Sequence, residues 1–440
     1  MKARKVKHAG CFILIAPIYV PIDLDLLKRI MATDFAHFID HRIYFNEKDD
    51  PLSAHLFALT GQKWRDLRVK LTPTFTSAKM KLMLPIVIKV SQELITILNN
   101  DCQKGPVDVY DICVRFTTDV IANCAFGINC GSLADPNTEF RTKAKRIFGL
   151  TRGESLQAFL CQLFPDAMRL WGSRFFPKEG TDFFWNALKE TIRYRQKNGI
   201  RRNDALQLLI DMMHKEGEKD EVANGTLTFN ELAAQAFVFF IAGFDTTSTL
   251  ISFALLELAL NQDIQDQLRC EISEILERNN GKITYGSLSE MTYLDMVINE
   301  TLRKHPSAPV SSRVCTKDYQ VPDSNLIIRK GDEVCIPIRG VHYDPETYRN
   351  PNKFDPMRFT EENKSKRHPF AFIPFGEGPR TCIGLRFGLM QSKVGLISSI
   401  ANFKFKLNSQ TKLPIRLDPR SILAGIVHPL WMDIEKIYSF

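Results

Sequence analysis

The 440-residue sequence predicts a mainly α-helical fold with a small share of strand. Three observations carry that prediction. The first two thirds read as helices joined by short loops. One apolar run, Leu232 to Leu260, is long enough to cross a whole domain. Only Ala16–Val20 and Tyr319–Ile338 show the short apolar runs of strands, the latter with a turn at Arg329-Lys330-Gly331-Asp332.

Composition narrows the class. Apolar residues make up 44% and charged ones 25%, which is ordinary globular usage and excludes a disordered, collagenous or low-complexity protein. The net charge of +8 is spread along the chain. Nucleic-acid binding needs a concentrated basic stripe, so no nucleic acid is expected. The local clusters Lys2–Lys7 and Lys364, Lys366, Arg367 suit solvated faces, an acidic partner or an anionic membrane surface. Ten cysteines, no two at C-x-x-C spacing, are too sparse for a disulfide scaffold; reduced thiols in a cytosol-facing protein are expected.

At the N-terminus, basic Met1–Gly10 and apolar Cys11–Ile22 outline a signal peptide. Pro17 and Pro21 interrupt the run, Asp23 and Asp25 follow it, and no small-residue cleavage site appears. A strand, a Pro-containing turn and a second strand are expected, then a short helix over Asp25–Met31. Twelve residues are too few to cross a bilayer, and no membrane span is expected in the chain. His37 and His41 share a helical spacing, but no third ligand is near, so they read as ordinary side chains. The stretch Asp135 to Gly199 mixes aromatics with charge.

Thr228-Phe229-Asn230-Glu231 is a capping box, with Leu227 and Leu232 placed as a hydrophobic staple. The helix it starts would be roughly 50 Å long at 1.5 Å per residue. Between Leu232 and Leu260 its only charges are Asp245 and Glu257. A bilayer would penalise Asp245 by roughly 3 kcal/mol, which favours a buried core axis over a membrane span. A buried Asp needs a partner or a purpose. Gly243 weakens the helix beside it, so the ladder is expected to open there.

Phe375-Gly376-Glu377-Gly378-Pro379-Arg380-Thr381-Cys382-Ile383-Gly384 carries the strongest chemical signal. Its glycines and proline make a tight loop, and Leu385 onward reads as a helix. Cys382 then lies near a helix N-terminus, where dipole, free N–H groups and Arg380 favour a thiolate. Gly384 leaves room for a flat ligand at the sulfur. These are the properties of an axial cysteinate to haem iron. A phosphate loop is excluded, since Thr381 stands where G-x-G-x-x-G needs glycine.

This segment resembles the haem-binding signature of the cytochromes P450, the haem-thiolate monooxygenases, and further motifs follow in that family's order. Glu300-Thr301-Leu302-Arg303 resembles its E-x-x-R. Phe354-Asp355-Pro356-Met357-Arg358-Phe359 resembles the segment whose arginine completes that ion network, with Met357 in place of the commoner Glu. Ala242-Gly243-Phe244-Asp245-Thr246-Thr247 resembles the oxygen-activation segment. Gly61-Gln62-Lys63-Trp64-Arg65-Asp66-Leu67-Arg68 resembles the helix whose Trp and second Arg hold a haem propionate.

The resemblance covers about residue 8 to the end. It implies one domain over 1–440, mostly helical with a small β-rich lobe, and haem b (iron protoporphyrin IX) between the long helix and the Cys382 loop. Cys382 would be the axial ligand, with Phe375 in the same signature. Trp64, Arg68, Arg313 and Arg380 would hold the propionates. Thr246 would hydrogen-bond the oxygen being activated while Asp245 feeds protons. Glu300, Arg303 and Arg358 would form a structural network.

Asn46 to Phe57 and Leu258 to Asp263 resemble the insect microsomal branch associated with xenobiotic metabolism. That branch begins with a membrane anchor, a basic stretch and a hinge, none of which precedes Met1; the anchor and first helix are expected to be missing from this chain. The implied activity is insertion of one oxygen atom of O₂ into a lipophilic small molecule at the cytosolic face of the endoplasmic reticulum. NADPH-cytochrome P450 reductase would supply electrons, with cytochrome b5 as a further partner. Arg65, Lys364, Lys366 and Arg367 are the candidate docking cations. Alternatives are a hormone- or lipid-metabolising monooxygenase, a reductase-independent haem-thiolate isomerase or dehydratase, and an inactive haem-binding remnant. Substrate-lining candidates are Leu52–Leu59, the Asp135–Gly199 stretch and the turn near Ser421–Val427.

Overall fold

A computed structural model describes residues 6–13, 16–148, 150–213, 227–418 and 423–437. Most of Lys2–Lys7 and the start of the Ser421–Val427 turn therefore lie outside the described residues. The architecture is mainly helical, with a four-stranded sheet, a three-stranded sheet and a two-stranded hairpin.

The helix Phe229–Leu260 is the axis of the fold. Thr228 caps it as the sequence predicts: Glu231 N–H donates to Thr228 Oγ1 at 3.2 Å, and Thr228 N–H donates to Glu231 Oε2 at 2.8 Å. Twenty-three of its 32 residues are buried. Ser77–Asp101 and Phe229–Leu260 are both apolar and long enough to cross a membrane, but 72% of the apolar window of Phe229–Leu260 is buried inside the protein. The sequence reading overlooked Ser77–Asp101 in this respect.

The expected opening of the helical ladder at Gly243 is not seen; the α-helix is continuous from Phe229 to Leu260. Gly243 serves another need. A Cβ there would lie 3.0 Å from Ile121 Cδ1, so the glycine lets the helix Val109–Ile121 pack closely against the axis.

Among the described residues two large apolar cores divide the molecule, and a third, small one gathers Tyr44, Cys161 and Met168. The larger runs from Phe35 to Ile434 around the central helix. The smaller, with Ile30, Met31, Val334, Ile336 and Ile373, lies under the four-stranded sheet and forms the β-rich lobe. That sheet has the order His8–Ile13, Ala16–Pro21, Glu333–Ile336, Ser311–Val314, and only its middle pair is parallel. The N-terminal hairpin was expected, but its prolines are not in the turn. Pro17 and Pro21 sit inside the second strand, opposite Phe12 and His8. They are tolerated because the ladder to Glu333–Ile336 uses only Ile18 and Tyr19 between them. The expected short helix is Leu24–Lys28 followed by one π-turn, Arg29–Thr33.

The E-x-x-R motif lies on the helix Thr292–Lys304, and Glu300 and Arg303 are both completely buried. Arg303 Nε and Nη2 donate to the two Glu300 oxygens at 2.7 and 2.8 Å. Its other donors reach the carbonyls of His342 at 3.1 Å and Pro351 at 2.9 Å. Asp355 N–H donates to Glu300 Oε1, and Arg358 Nε stands 3.4 Å from the same oxygen. The pair thereby fixes the segment 342–358, which leads into the Cys382 loop. Arg303→Ala leaves Glu300 charged, buried and without its main partner. The variant should lose about 3–5 kcal/mol in chemical denaturation; a loss below 1 kcal/mol would contradict a buried pair.

Candidate active site

The Cys382 loop is built by short-range contacts. Gly378 has φ +75°, and a Cβ there would lie 2.0 Å from the Met31 carbonyl oxygen, so only glycine fits. Thr381 N–H closes onto Gly378 O at 3.0 Å, and Cys382 N–H donates to Phe375 O at 2.9 Å. The helix Leu385–Asn402 follows, with Gly384 as its N-cap. Cys382 is exposed, although its thiol lies deep within the body of the protein. Those two facts together place it on the wall of an internal void.

The central helix presents a matching wall. Among its otherwise buried middle residues, Phe239, Ala242, Gly243, Asp245 and Thr246 retain access. The spacing puts all of them but Asp245 on one helix face, with Asp245 on its flank. The two helices touch where Gly388 meets Thr247 and where Gly395 meets Ile251. A Cβ added at Gly384 would meet nothing within 4 Å. The helices therefore diverge toward Cys382 on one side and Ala242 on the other, and the void is the wedge between them.

Cations surround the edge of that wedge. Arg313 is 1% exposed, and among the described residues its Nε has no partner and no carboxylate pairs with it. Its Nη1 reaches Ser312 O at 2.8 Å and His41 Nδ1 at 3.2 Å. Burial pulls its pKa down to about 10, so it stays protonated at neutral pH. Arg68 and the Trp64 indole share a cleft of about 260 Å³ with Phe35, Arg65, Val69 and Pro379. Among the described residues neither has a hydrogen-bond acceptor. Arg380 differs from expectation: its guanidinium turns away from Cys382, 3.9 Å from the Trp64 ring centroid. It donates to the carbonyls of Ile39, Leu56 and Leu59 and stands 3.5 Å from Asp40. Arg68, and not Arg380, is the cation that Cys382 feels.

The thiol also departs from the sequence reading. Burial pushes the Cys382 pKa up, and the Gly384 N–H and Arg68 only partly oppose it. Phe375 is half-buried at the start of the loop. On the central helix, Thr246 Oγ1 donates to Ala242 O at 2.6 Å. Burial raises Asp245 to about 6. His41, read from sequence as ordinary, is buried against Arg313 and held neutral by burial and by the charges of Arg313 and Arg380. Its flanking Phe38 and Ile39 were the only sign of that burial.

A wedge with an accessible thiol on one wall, a threonine on the other with an acid one residue before it, and cations lacking counter-charges at its rim suits a flat, iron-bearing dicarboxylate. The unpartnered Arg313 Nε and the open space at Gly384 are the observations that make the fit. Fold and site together define a haem-thiolate oxidoreductase. The cytochrome P450 family model matches residues 6–429. "Probable cytochrome P450 6a13" of Drosophila melanogaster is 45% identical over 435 residues, covering 98% of this chain and 86% of that protein. "Cytochrome P450 6A1" of Musca domestica is 42% identical over 433 residues, covering 97% and 85%. The chain belongs to the cytochrome P450 family, monooxygenases that use haem b with a cysteine thiolate as axial ligand.

Asp245 gives a signed test. A carboxyl raised from 3.8 to about 6 makes the folded state bind its proton more tightly, so stability falls as pH rises from 4 to 6. Asp245→Asn should remove that loss. Its gain over wild type in unfolding free energy should grow through that window and level off above it, reaching about 3 kcal/mol. A gain independent of pH would show that Asp245 does not titrate there.

Proposed function

We propose that this chain oxygenates a lipophilic small molecule, in xenobiotic detoxification, with electrons from NADPH-cytochrome P450 reductase. The observation that carries this reading is the wedge itself, with an accessible Cys382 beside cations that have no counter-charge. The detoxification role rests on the resemblance to the insect branch, and the named relatives come from two flies. The chain acts as one domain on the cytosolic face of the endoplasmic reticulum. Leu170 and Trp171, 92% and 84% exposed, suit contact with a membrane surface.

When bound, haem supplies the redox chemistry that splits dioxygen and gives one atom to the substrate. Cys382 would hold it from the loop side, giving up its thiol proton to do so. Trp64, Arg68 and Arg313 would hold its two carboxylates, with Arg380 behind Trp64. Asp245, able to hold a proton near pH 6, exchanges it toward the Thr246 hydroxyl, which must leave Ala242 O to donate into the void. Substrate lies against Phe239, Ala242 and the segment Leu52–Leu59.

Of the docking cations, Arg65 is exposed beside the Trp64 cleft, and Lys364 and Lys366 are exposed but paired with Glu361 and Glu362. Arg367 is withdrawn from that role. It lies over Tyr348 and Phe359 and donates to Arg358 O.

The carbon monoxide difference spectrum of the reduced protein should show the red-shifted Soret band of a thiolate ligand, and Cys382→Ala should abolish it. A band unchanged in that variant overturns the assignment. With reductase, turnover should require NADPH. Thr246→Ala should divert roughly tenfold more of the electrons to peroxide, and reversing Arg65 and Lys364 to Glu should weaken turnover and its salt dependence. Full coupling in Thr246→Ala would remove that residue from proton delivery.

A further inference from the structure

The segment that leaves the E-x-x-R helix is fastened to the central helix at three levels. Lys304 Nζ and His305 Nε2 reach Glu257 Oε1 at 2.8 and 2.7 Å. The His305 ring stacks on Phe253, with centroids 4.2 Å apart and planes 4° from parallel. Ser307 Oγ donates to Thr246 O at 3.0 Å. Positions 246, 253 and 257 lie on one face of the helix, so the segment 304–307 runs along it.

The last contact is the one near the chemistry. Thr246 is held twice: its hydroxyl is turned back onto Ala242 O, and its carbonyl receives the Ser307 hydroxyl. That carbonyl is also the acceptor for the helical N–H one turn on, so Ser307 adds a second donor to it. A second hydroxyl approaches the same turn from elsewhere. Thr117 Oγ1 lies 2.9 Å from Phe244 O, but it also lies 3.0 Å from Cys113 O and 3.2 Å from Val114 O. One hydroxyl hydrogen cannot serve three carbonyls, whereas the Ser307 hydroxyl has, among the described residues, the single acceptor Thr246 O. The Ser307 carbonyl in turn accepts from Ala424 N–H at 2.9 Å. One residue thus joins the Thr246 turn to the C-terminal loop.

We infer that Ser307 is a positioning residue: its hydroxyl fixes the Asp245–Thr246 turn relative to the C-terminal loop, and so sets how efficiently electrons end in product. The inference rests on the monooxygenase reading above. Lys304 and His305 anchor the segment from which Ser307 reaches across, and Glu257 supplies the charge that holds them.

The variants Ser307→Thr and Ser307→Val differ only in whether a hydroxyl or a methyl occupies one branch. Both are made in the full chain and loaded with haem, and the thiolate carbon monoxide band confirms that each has folded. Amide hydrogen exchange over residues 243–250 is then measured, with and without haem. In Ser307→Val exchange should rise about fivefold, the effect of one neutral hydrogen bond, and Ser307→Thr should stay near wild type. The fraction of NADPH electrons recovered in product should fall in Ser307→Val and recover in Ser307→Thr. Equal exchange and equal coupling in the two variants overturn the inference. A wild type that lacks the thiolate band or ignores NADPH would instead overturn the monooxygenase reading, and the exchange comparison in the haem-free chain would still report on the tether.

Discussion

How closely the helix Leu385–Asn402 can approach the central helix is decided by its glycines, and the spacing of everything else follows. At Gly395 a Cβ would lie 2.9 Å from Phe116 and 3.0 Å from Ile251, so the two helices and Val109–Ile121 meet there without a side chain between them. One turn from the loop, Gly388 still touches Thr247. By Gly384 contact is gone. Closure at one end and separation at the other turn two packed helices into a wedge. Its floor is Cys382 and its roof is the accessible face at Ala242. Cores otherwise fill to crystal-like density, so a void of this kind persists only where the walls are held from behind. The Met31 carbonyl against Gly378 and the Glu300–Arg303 pair do this for the loop wall; Ile121 against Gly243 does it for the helix wall.

Two buried arginines show what holding a wall and holding a ligand each require. Arg303 has every guanidinium nitrogen answered, by Glu300 and by main-chain carbonyls, and its role ends inside the protein. Arg313 is equally buried, yet one nitrogen has no partner and its nearest ring neighbour is an imidazole that cannot offset its charge. A buried cation without an anion is costly. The fold supports that cost through the strand Ser311–Val314, which is locked between Asp40 and Glu333–Ile336. The dicarboxylate proposed to bind there would relieve it.

Local signals were legible in the sequence and long-range orientation was not. The Thr228 capping box, the E-x-x-R helix and the tight turn before Cys382 depend on residues within a few positions of one another, and each was readable from the chain. Arg380 was readable as a cation two residues from Cys382, but its direction is set by the carbonyls of Ile39, Leu56 and Leu59, over three hundred positions away. A comparable separation, 271 and 272 positions, hid His41, which is buried against Ser312 and Arg313. Gly243 was legible as a weak point and misread, because the sequence cannot show that Ile121 needs the space. Pro17 and Pro21 pointed to a turn, and only the register against Glu333–Ile336 reveals that their missing N–H groups cost no ladder bond.

Desolvation acts alike on the two acids of the wedge and leaves them ready for opposite fates. Burial raises both Cys382 and Asp245, so each resists losing its proton. At Cys382 the resistance is opposed by the Gly384 N–H and by Arg68, both aimed at the sulfur. A metal ion arriving there would displace the proton and complete a charge pattern already laid out, as ligation of a thiol requires. At Asp245 nothing comparable opposes burial, and the carboxyl is left to titrate near 6. A group with a pKa close to the working pH can both give and regain a proton, which a carboxylate in water cannot do at that pH. The sequence placed a charge in the middle of an apolar helix, where it destabilises the resting fold. The structure keeps that charge one residue before Thr246, on the flank of the accessible face, where the proposed reaction would use a transferable proton.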